Sequence, residues 1–489
     1  MRNILPGRRA AVAAPRTAVL LTAMLLTAAG ALPAPASAQD APPFRSTAAD
    51  RRGVSLTVYN QNFGLVREVR DLALARGRVA LEFGDVASTI QSETVHVRAL
   101  DGPALEVLEQ NYQYDLLSPQ KLLEKYVGRS VKLYRWNEAA GRDEVVDAEV
   151  LSVNNGTVLR IGDEITFNYP GRIAFPEVPD DLIARPTLIW LLDSRAERQR
   201  VETSYLANGL NWKADYVMVL EENDAEAGVT GWVTLTNQSG ATWEDAELKL
   251  VAGDVQRVQP DRRGQIQMEA MAVRAAGDGF AEEAFFEYHL YTLGRRTTVR
   301  NNEQKQVTLL EAPRFAVEKR LEFAGSPRWF RGTYGPVQSN AKVGVFLEFE
   351  NAEANGLGMP LPAGIVRVYK RDRSGAQQFI GEDRIDHTPR DERLRIRMGE
   401  AFDVVGDRRQ MEYDVLGNCA SESGWKIELR NHKDEDVEVE VVEPVGGDWS
   451  IITESHAHEK VDANTFRYRV KVPARGDATI TYRVRVRWC

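Results

Sequence analysis

Strict alternation of apolar and polar residues, repeated in many short runs, is the strongest constraint on this chain. Val54, Leu56 and Val58 alternate with Ser55, Thr57 and Tyr59, and Val79, Leu81 and Phe83 alternate with Ala80, Glu82 and Gly84. Near the C-terminus the pattern is cleaner. Trp425, Ile427 and Leu429, then Val437, Val439 and Val441, then Phe466, Tyr468, Val470 and Val472 alternate with mostly charged residues, as do Ile480, Tyr482, Val484, Val486 and Trp488. A period of two sends successive side chains to opposite faces of a strand. An apolar face backed by a charged one is the pattern of antiparallel sheets packed on one side and solvated on the other. The chain is therefore predicted to be mainly β. Several antiparallel β-domains in series are expected, ending in an immunoglobulin-like sandwich over 412–489. An outer-membrane barrel fits less well, because its strands need about 10 residues each and many runs here are shorter.

Breaks in the alternation suggest the organisation. Residues 39–53 are polar and contain proline, which predicts a flexible lead. An N-terminal β domain is expected over 54–110. Within 111–180 one short helix is predicted near 118–127: Ser118 caps it, Pro119 takes the first helical position, Leu122, Leu123, Tyr126 and Val127 form its apolar face, and Gly128 ends it. The following runs, with Asn155-Gly156 as a hairpin turn, predict a small barrel-like sheet. A central β domain is expected over 181–411. It carries a flexible insertion at 254–283 with a weak helix around 268–275, because that stretch has no β-branched run.

The first 38 residues read as a secretory leader. Arg2, Arg8, Arg9 and Arg16 form a basic start, residues 17–30 an apolar core, and Ala36-Ser37-Ala38 a small-x-small cleavage pattern before Gln39. The apolar core is shorter than the roughly 20 residues of a membrane span. Removing the leader takes four arginines and no acid from a chain of formal charge −9, so the mature chain carries −9 − 4 = −13. That balance argues against nucleic-acid binding, which calls for a basic stripe. No cysteine stands at the cleavage site to carry a lipid, and no second apolar run approaches spanning length. A periplasmic or secreted chain with no transmembrane segment is expected. In an oxidising compartment its two cysteines, Cys419 and Cys489, invite a disulfide across 70 residues; the alternative is two unpaired thiols.

Over about 203–403 the chain resembles the bacterial domain-of-unknown-function 4139 family. The resemblance is carried by Tyr205-Leu-Ala-Asn-Gly-Leu-Asn-Trp212-Lys-Ala-Asp-Tyr216, Thr234-Leu-Thr-Asn237-Gln-Ser-Gly240, Glu287-Tyr-His-Leu-Tyr291, Gly356-Leu-Gly-Met-Pro360-Leu-Pro-Ala-Gly364, Gly381-Glu-Asp-Arg-Ile-Asp-His387 and Gly399-Glu-Ala-Phe402-Asp403. It implies no general activity and no catalytic residues. Some members are called mucoidy-inhibitor-like, which implies cell-envelope polysaccharide; the coiled-coil insertion associated with them is absent here.

Three clusters are candidates for chemistry. In residues 381–389, Asp383 and His387 are the candidate acid–base or ligating pair, set against the plainer reading of a charged turn. His456 and His458 offer two imidazoles to a metal, without an evident third ligand. Trp329, Phe330 and Tyr334, flanked by Arg328 and Arg331, are candidates for stacking on a sugar or a protein partner, or else form a loop folded back on the sheet. No nucleophile elbow, phosphate loop or dinucleotide fingerprint is present, and no cofactor is expected. The expected function is that of an exported, non-catalytic cell-envelope protein that binds or scaffolds protein or glycan. The alternative is a secreted hydrolase acting on envelope polysaccharide or peptide through the 382–387 cluster.

Overall fold

The computed structural model describes residues 43–489, apart from 103–104, 168, 180, 254, 258–279 and 286. The predicted leader, its Ala38–Gln39 cleavage site and most of the 254–283 insertion lie outside the described residues. Those described form five sheets and one α-helix, as the alternation predicts.

The largest buried cluster draws on several sheets, and two of them enclose its N-terminal part. One is built on the hairpin Arg51–Tyr59 and Phe63–Ala73, extended by Arg198–Asn208 on one side and Trp243–Ala252 on the other. The second runs Phe44–Ser46, Gly77–Gly84, Thr187–Ser194, Glu106–Gln113. The alternating residues Leu56, Val58 and Val66 of the first meet Leu81, Phe83 and Trp190 of the second in one core. The expected separate domain over 54–110 is thus shared between two sheets, whose remaining strands come from much later in the chain. The lead is also corrected. Residues 44–46 form a strand parallel to Leu81–Phe83, and Thr47 and Asp50 close a capping box around a short 3₁₀ turn. Its polar composition serves caps rather than solvent.

Residues 130–174 make a five-stranded antiparallel sheet of order Glu164–Phe167, Val158–Ile161, Arg142–Ser152, Ser130–Asn137, Arg172–Ala174. It has its own small core around Val131, Leu133, Val150 and Leu159. The helix Pro119–Lys125 precedes it, with Ser118 Oγ accepting the Lys121 N–H at 3.1 Å. Asn155 and Gly156 both take positive φ in the predicted turn.

A second five-stranded sheet runs Glu303–Ala316, Glu226–Asn237, Leu210–Leu220, Gly364–Arg371, Gln377–Ile385. The last sheet has nine strands and folds over on itself. Tyr482, in the strand Asp477–Arg487, packs 5.5 Å from both Phe466 and Tyr468, in the non-adjacent strand Thr465–Val472. This sheet includes Glu318–Ala324, Pro336–Glu350 and Arg393–Gly417, so the boundary expected at 411/412 falls inside a strand. Among the described residues, four strand pairs are parallel: 44–46 with 81–83, 51–59 with 243–252, 210–220 with 364–371, and 318–324 with 437–444. Parallel pairs need long crossovers, and alternation within a strand carries no record of its partner.

Candidate functional site

A cleft of about 890 Å³ opens where the two N-terminal sheets meet the loop 237–242. Arg51 and Arg52 reach it from the start of the strand Arg51–Tyr59. Asp85 and Ser88 follow the strand Gly77–Gly84, Arg185 precedes Thr187–Ser194, and Arg296 lies between two later strands.

Beneath this wall lies a buried ionic network. Glu68 and Arg70, two residues apart on one strand and therefore on one face, are both fully buried. Glu68 Oε2 accepts from Arg51 Nε at 2.8 Å and from Arg70 Nη2 at 3.0 Å. Arg70 lies 3.7 Å over the Phe83 ring and Arg51 5.3 Å over Trp243. Burial, then the Glu68 charge, pushes the Tyr205 hydroxyl well above its ordinary range. This network holds Arg51 rigidly at the base of the cleft.

The rim is tied differently. Asp85 takes a positive φ and accepts the Ala48 N–H at 2.9 Å and Arg185 Nη1 at 2.6 Å. Burial raises its carboxyl, but those two donors and the Arg70 charge outweigh burial and hold it below the usual range. Arg52 Nε donates to Asp71 at 2.7 Å, and Arg296 Nη1 to the Asp245 carbonyl at 2.7 Å. The loop is shaped by buried Asn237, whose Nδ2 donates to the Ala241 carbonyl at 2.9 Å and whose Oδ1 accepts from Ser239 Oγ at 2.7 Å. Gly240 has φ 83°, and a Cβ there would stand 1.8 Å from Ser88 Oγ. Ser88 Oγ itself donates to the Ser239 carbonyl at 3.1 Å. Among the described residues lining the cleft there is no histidine or cysteine. Four guanidinium groups and the carboxylates of Asp85, Glu244 and Asp245 equip it to bind a polar, charged ligand.

The sequence candidates are not among the residues lining this cleft. Asp383 Oδ2 accepts the Arg397 N–H at 2.7 Å and Oδ1 accepts the Arg384 N–H at 2.8 Å. His387 Nδ1 accepts the Ala363 N–H at 3.1 Å, which places its ring proton on Nε2. Each side chain accepts a bond from backbone. Phe330 is a core residue, 1 % exposed and 5.5 Å from Trp425, because the 3₁₀ turn Pro327–Arg331 rotates it inward. As a stacking candidate it is corrected. Trp329 is half-buried against the same core beneath Arg408, whereas Tyr334 is exposed. His458 Nδ1 pairs with Glu454 at 2.8 Å among aromatic rings, and His456 Nδ1 with Ser455 Oγ at 2.9 Å. Among the described residues, no three histidine, cysteine or acidic side chains gather as a metal cage. Cys419 and Cys489 are bonded, with Cα atoms 5.6 Å apart.

The cleft residues 51, 85, 185 and 296 escaped sequence reasoning, because no local spacing joins positions so far apart. Of the cleft and its loop, only Asn237–Gly240 carried a sequence signal, as part of the family resemblance. A family model described as a domain of unknown function, DUF4139, matches residues 201–489. The chain belongs to the DUF4139 family. No curated protein matches it. The DUF4139 region supplies Gly240, Glu244, Asp245 and Arg296 to the cleft, and the residues before it supply Arg51, Arg52, Asp85 and Arg185. The cleft is therefore completed by the segment that precedes the DUF4139 region.

Proposed function

We propose that this DUF4139 chain is an exported, non-catalytic protein of the cell envelope that binds an acidic glycan in the cleft. The observation that carries the reading is the set of guanidinium groups on the rim. The side chains of Arg52, Arg185 and Arg296 are 58 %, 73 % and 51 % exposed, and they are anchored to Asp71, Asp85 and Asp245 respectively. A guanidinium held at one edge keeps its other N–H donors for ligand carboxylates and hydroxyls. Glu244 and Asp245 supply acceptors for sugar hydroxyls. Export is supported by the basic start, the apolar core and the small-x-small site. The hydrolase alternative rests on Asp383 and His387, and the backbone N–H groups of Arg397 and Ala363 already engage both side chains.

Calorimetric titration with polygalacturonate, using dextran as the uncharged control, tests the binding. Polygalacturonate should bind, and the Arg52→Glu/Arg296→Glu double variant should weaken it by about tenfold or more. Equal binding of dextran, or unchanged affinity in the folded double variant, would count against the reading. N-terminal sequencing of the exported chain should begin at Gln39; a retained leader would overturn export.

A further inference from the structure

A second pocket shares no lining residue with the cleft. It lies among the strands Leu210–Leu220, Gly364–Arg371, Glu318–Ala324, Pro336–Glu350 and Arg393–Gly417, where the central sheet meets the nine-stranded one. Its volume is about 330 Å³. That is the lower end of the roughly 300–1,000 Å³ of small-molecule sites, and too small for a folded element. Leu220, Leu321, Leu347 and Met398 line it with aliphatic groups. Phe402 stands at the pocket with 84 % of its surface exposed, in the stretch Gly399–Asp403. A large apolar side chain so exposed beside an aliphatic hollow is an informative placement, since covering it removes apolar surface from water.

The charged groups at this pocket are Lys319, Lys370, Lys433, Asp224 and Asp403. Asp224 accepts from Lys319 Nζ at 2.5 Å and also pairs with Lys370. Lys433 Nζ stands 3.8 Å from Glu435, an exposed partner. Lys319 and Lys370 share the Asp224 carboxylate, whereas Lys433 is held loosely by an exposed carboxylate at 3.8 Å.

We infer that this pocket binds a medium-chain acyl carboxylate, with its chain on the aliphatic floor under Phe402 and its carboxylate at Lys433. The aliphatic lining favours a flexible chain, and Met398 can adapt to its end. The loosely paired Lys433 ammonium favours one anionic head. The site is independent of glycan binding in the cleft, so either can fail alone.

Titration calorimetry of the full chain with decanoate tests the inference, with decanol as the uncharged analogue. Decanoate should bind, and decanol at least about tenfold more weakly. Phe402→Ala, an exposed substitution that leaves the thermal midpoint unchanged, should weaken decanoate about tenfold, and Lys433→Ala should erase the preference for decanoate over decanol. Failure of decanoate to bind, equal binding of decanol, or full affinity in Phe402→Ala would overturn the assignment. So would tighter binding of a leucine-terminated peptide carboxylate, which would make the occupant a chain terminus.

Discussion

Arg408 and Glu443 show what a single residue type conceals. Both are fully buried and paired at 2.8 Å, and Arg408 also donates to the Ala324 carbonyl at 2.9 Å and lies over Phe323 and Trp329. Burial pushes the Glu443 carboxyl up, and the Arg408 charge pulls it back. Gly325 is required beside them, since a Cβ there would stand 2.4 Å from Glu443 Oε2. Removing one partner leaves an uncompensated buried charge, so Glu443→Ala should cost about 3–5 kcal/mol in denaturant unfolding, and the Arg408→Met/Glu443→Met pair should recover most of it. A second residue-scale expectation concerns acid. In Asp85, Asp215 and Asp224, burial is outweighed by cationic and N–H donors, and each carboxyl lies below its usual value of 3.8. Their stabilisation is complete above that value and is lost as pH falls through the lowered native values. The thermal midpoint should therefore drop steeply below about pH 4, and less steeply in Asp224→Asn. None of these pairings was legible in the sequence. A charge at an apolar position of an alternating run, such as Glu68 or Arg70 between Val66 and Leu72, marks a break in the pattern without naming the partner that satisfies it.

At the scale of elements, local chemistry was readable wherever the decisive groups lie a few residues apart. The helix Pro119–Lys125 follows from its cap, its first-turn proline and its apolar face, and Ser118→Ala should destabilise it by about 1 kcal/mol, measurable by exchange of the Lys121 amide. The turn at Asn155-Gly156 was equally plain. Phe330 was not, because a 3₁₀ turn in a loop sets the direction of a side chain, and only the position of Trp425 decides which direction is buried. The Cys419–Cys489 bond closes 70 residues and ties the end of the last strand to the turn before Ala420–Asn431. Its reduction should lower stability by up to about 4 kcal/mol, read as a lower thermal midpoint in reductant that Cys419→Ser/Cys489→Ser reproduces without reductant.

For the whole molecule, residues 43–489 cluster as one body, and the sheets recruit strands across long stretches of chain. The nine-stranded sheet draws Glu318–Ala324, Pro336–Glu350 and most of Arg393–Gly417 from before residue 412. The isolated segment 412–489 would expose the edges those strands cover, so it should lack a cooperative unfolding transition by circular dichroism; a folded, cooperative fragment would contradict this account. Local pattern was enough to show that the chain is β-rich, which apolar residues of the alternating runs face inward, and where the helix and tight turns fall, because these depend on neighbours one to four positions away. The tertiary structure alone decided which strands pair, where parallel crossovers join distant segments, and that Arg51, Asp85, Arg185, Gly240 and Arg296 line one cleft. Hydrogen-bonded edges and burial are satisfied by whichever strand arrives beside them, and the alternating pattern is the same for every partner.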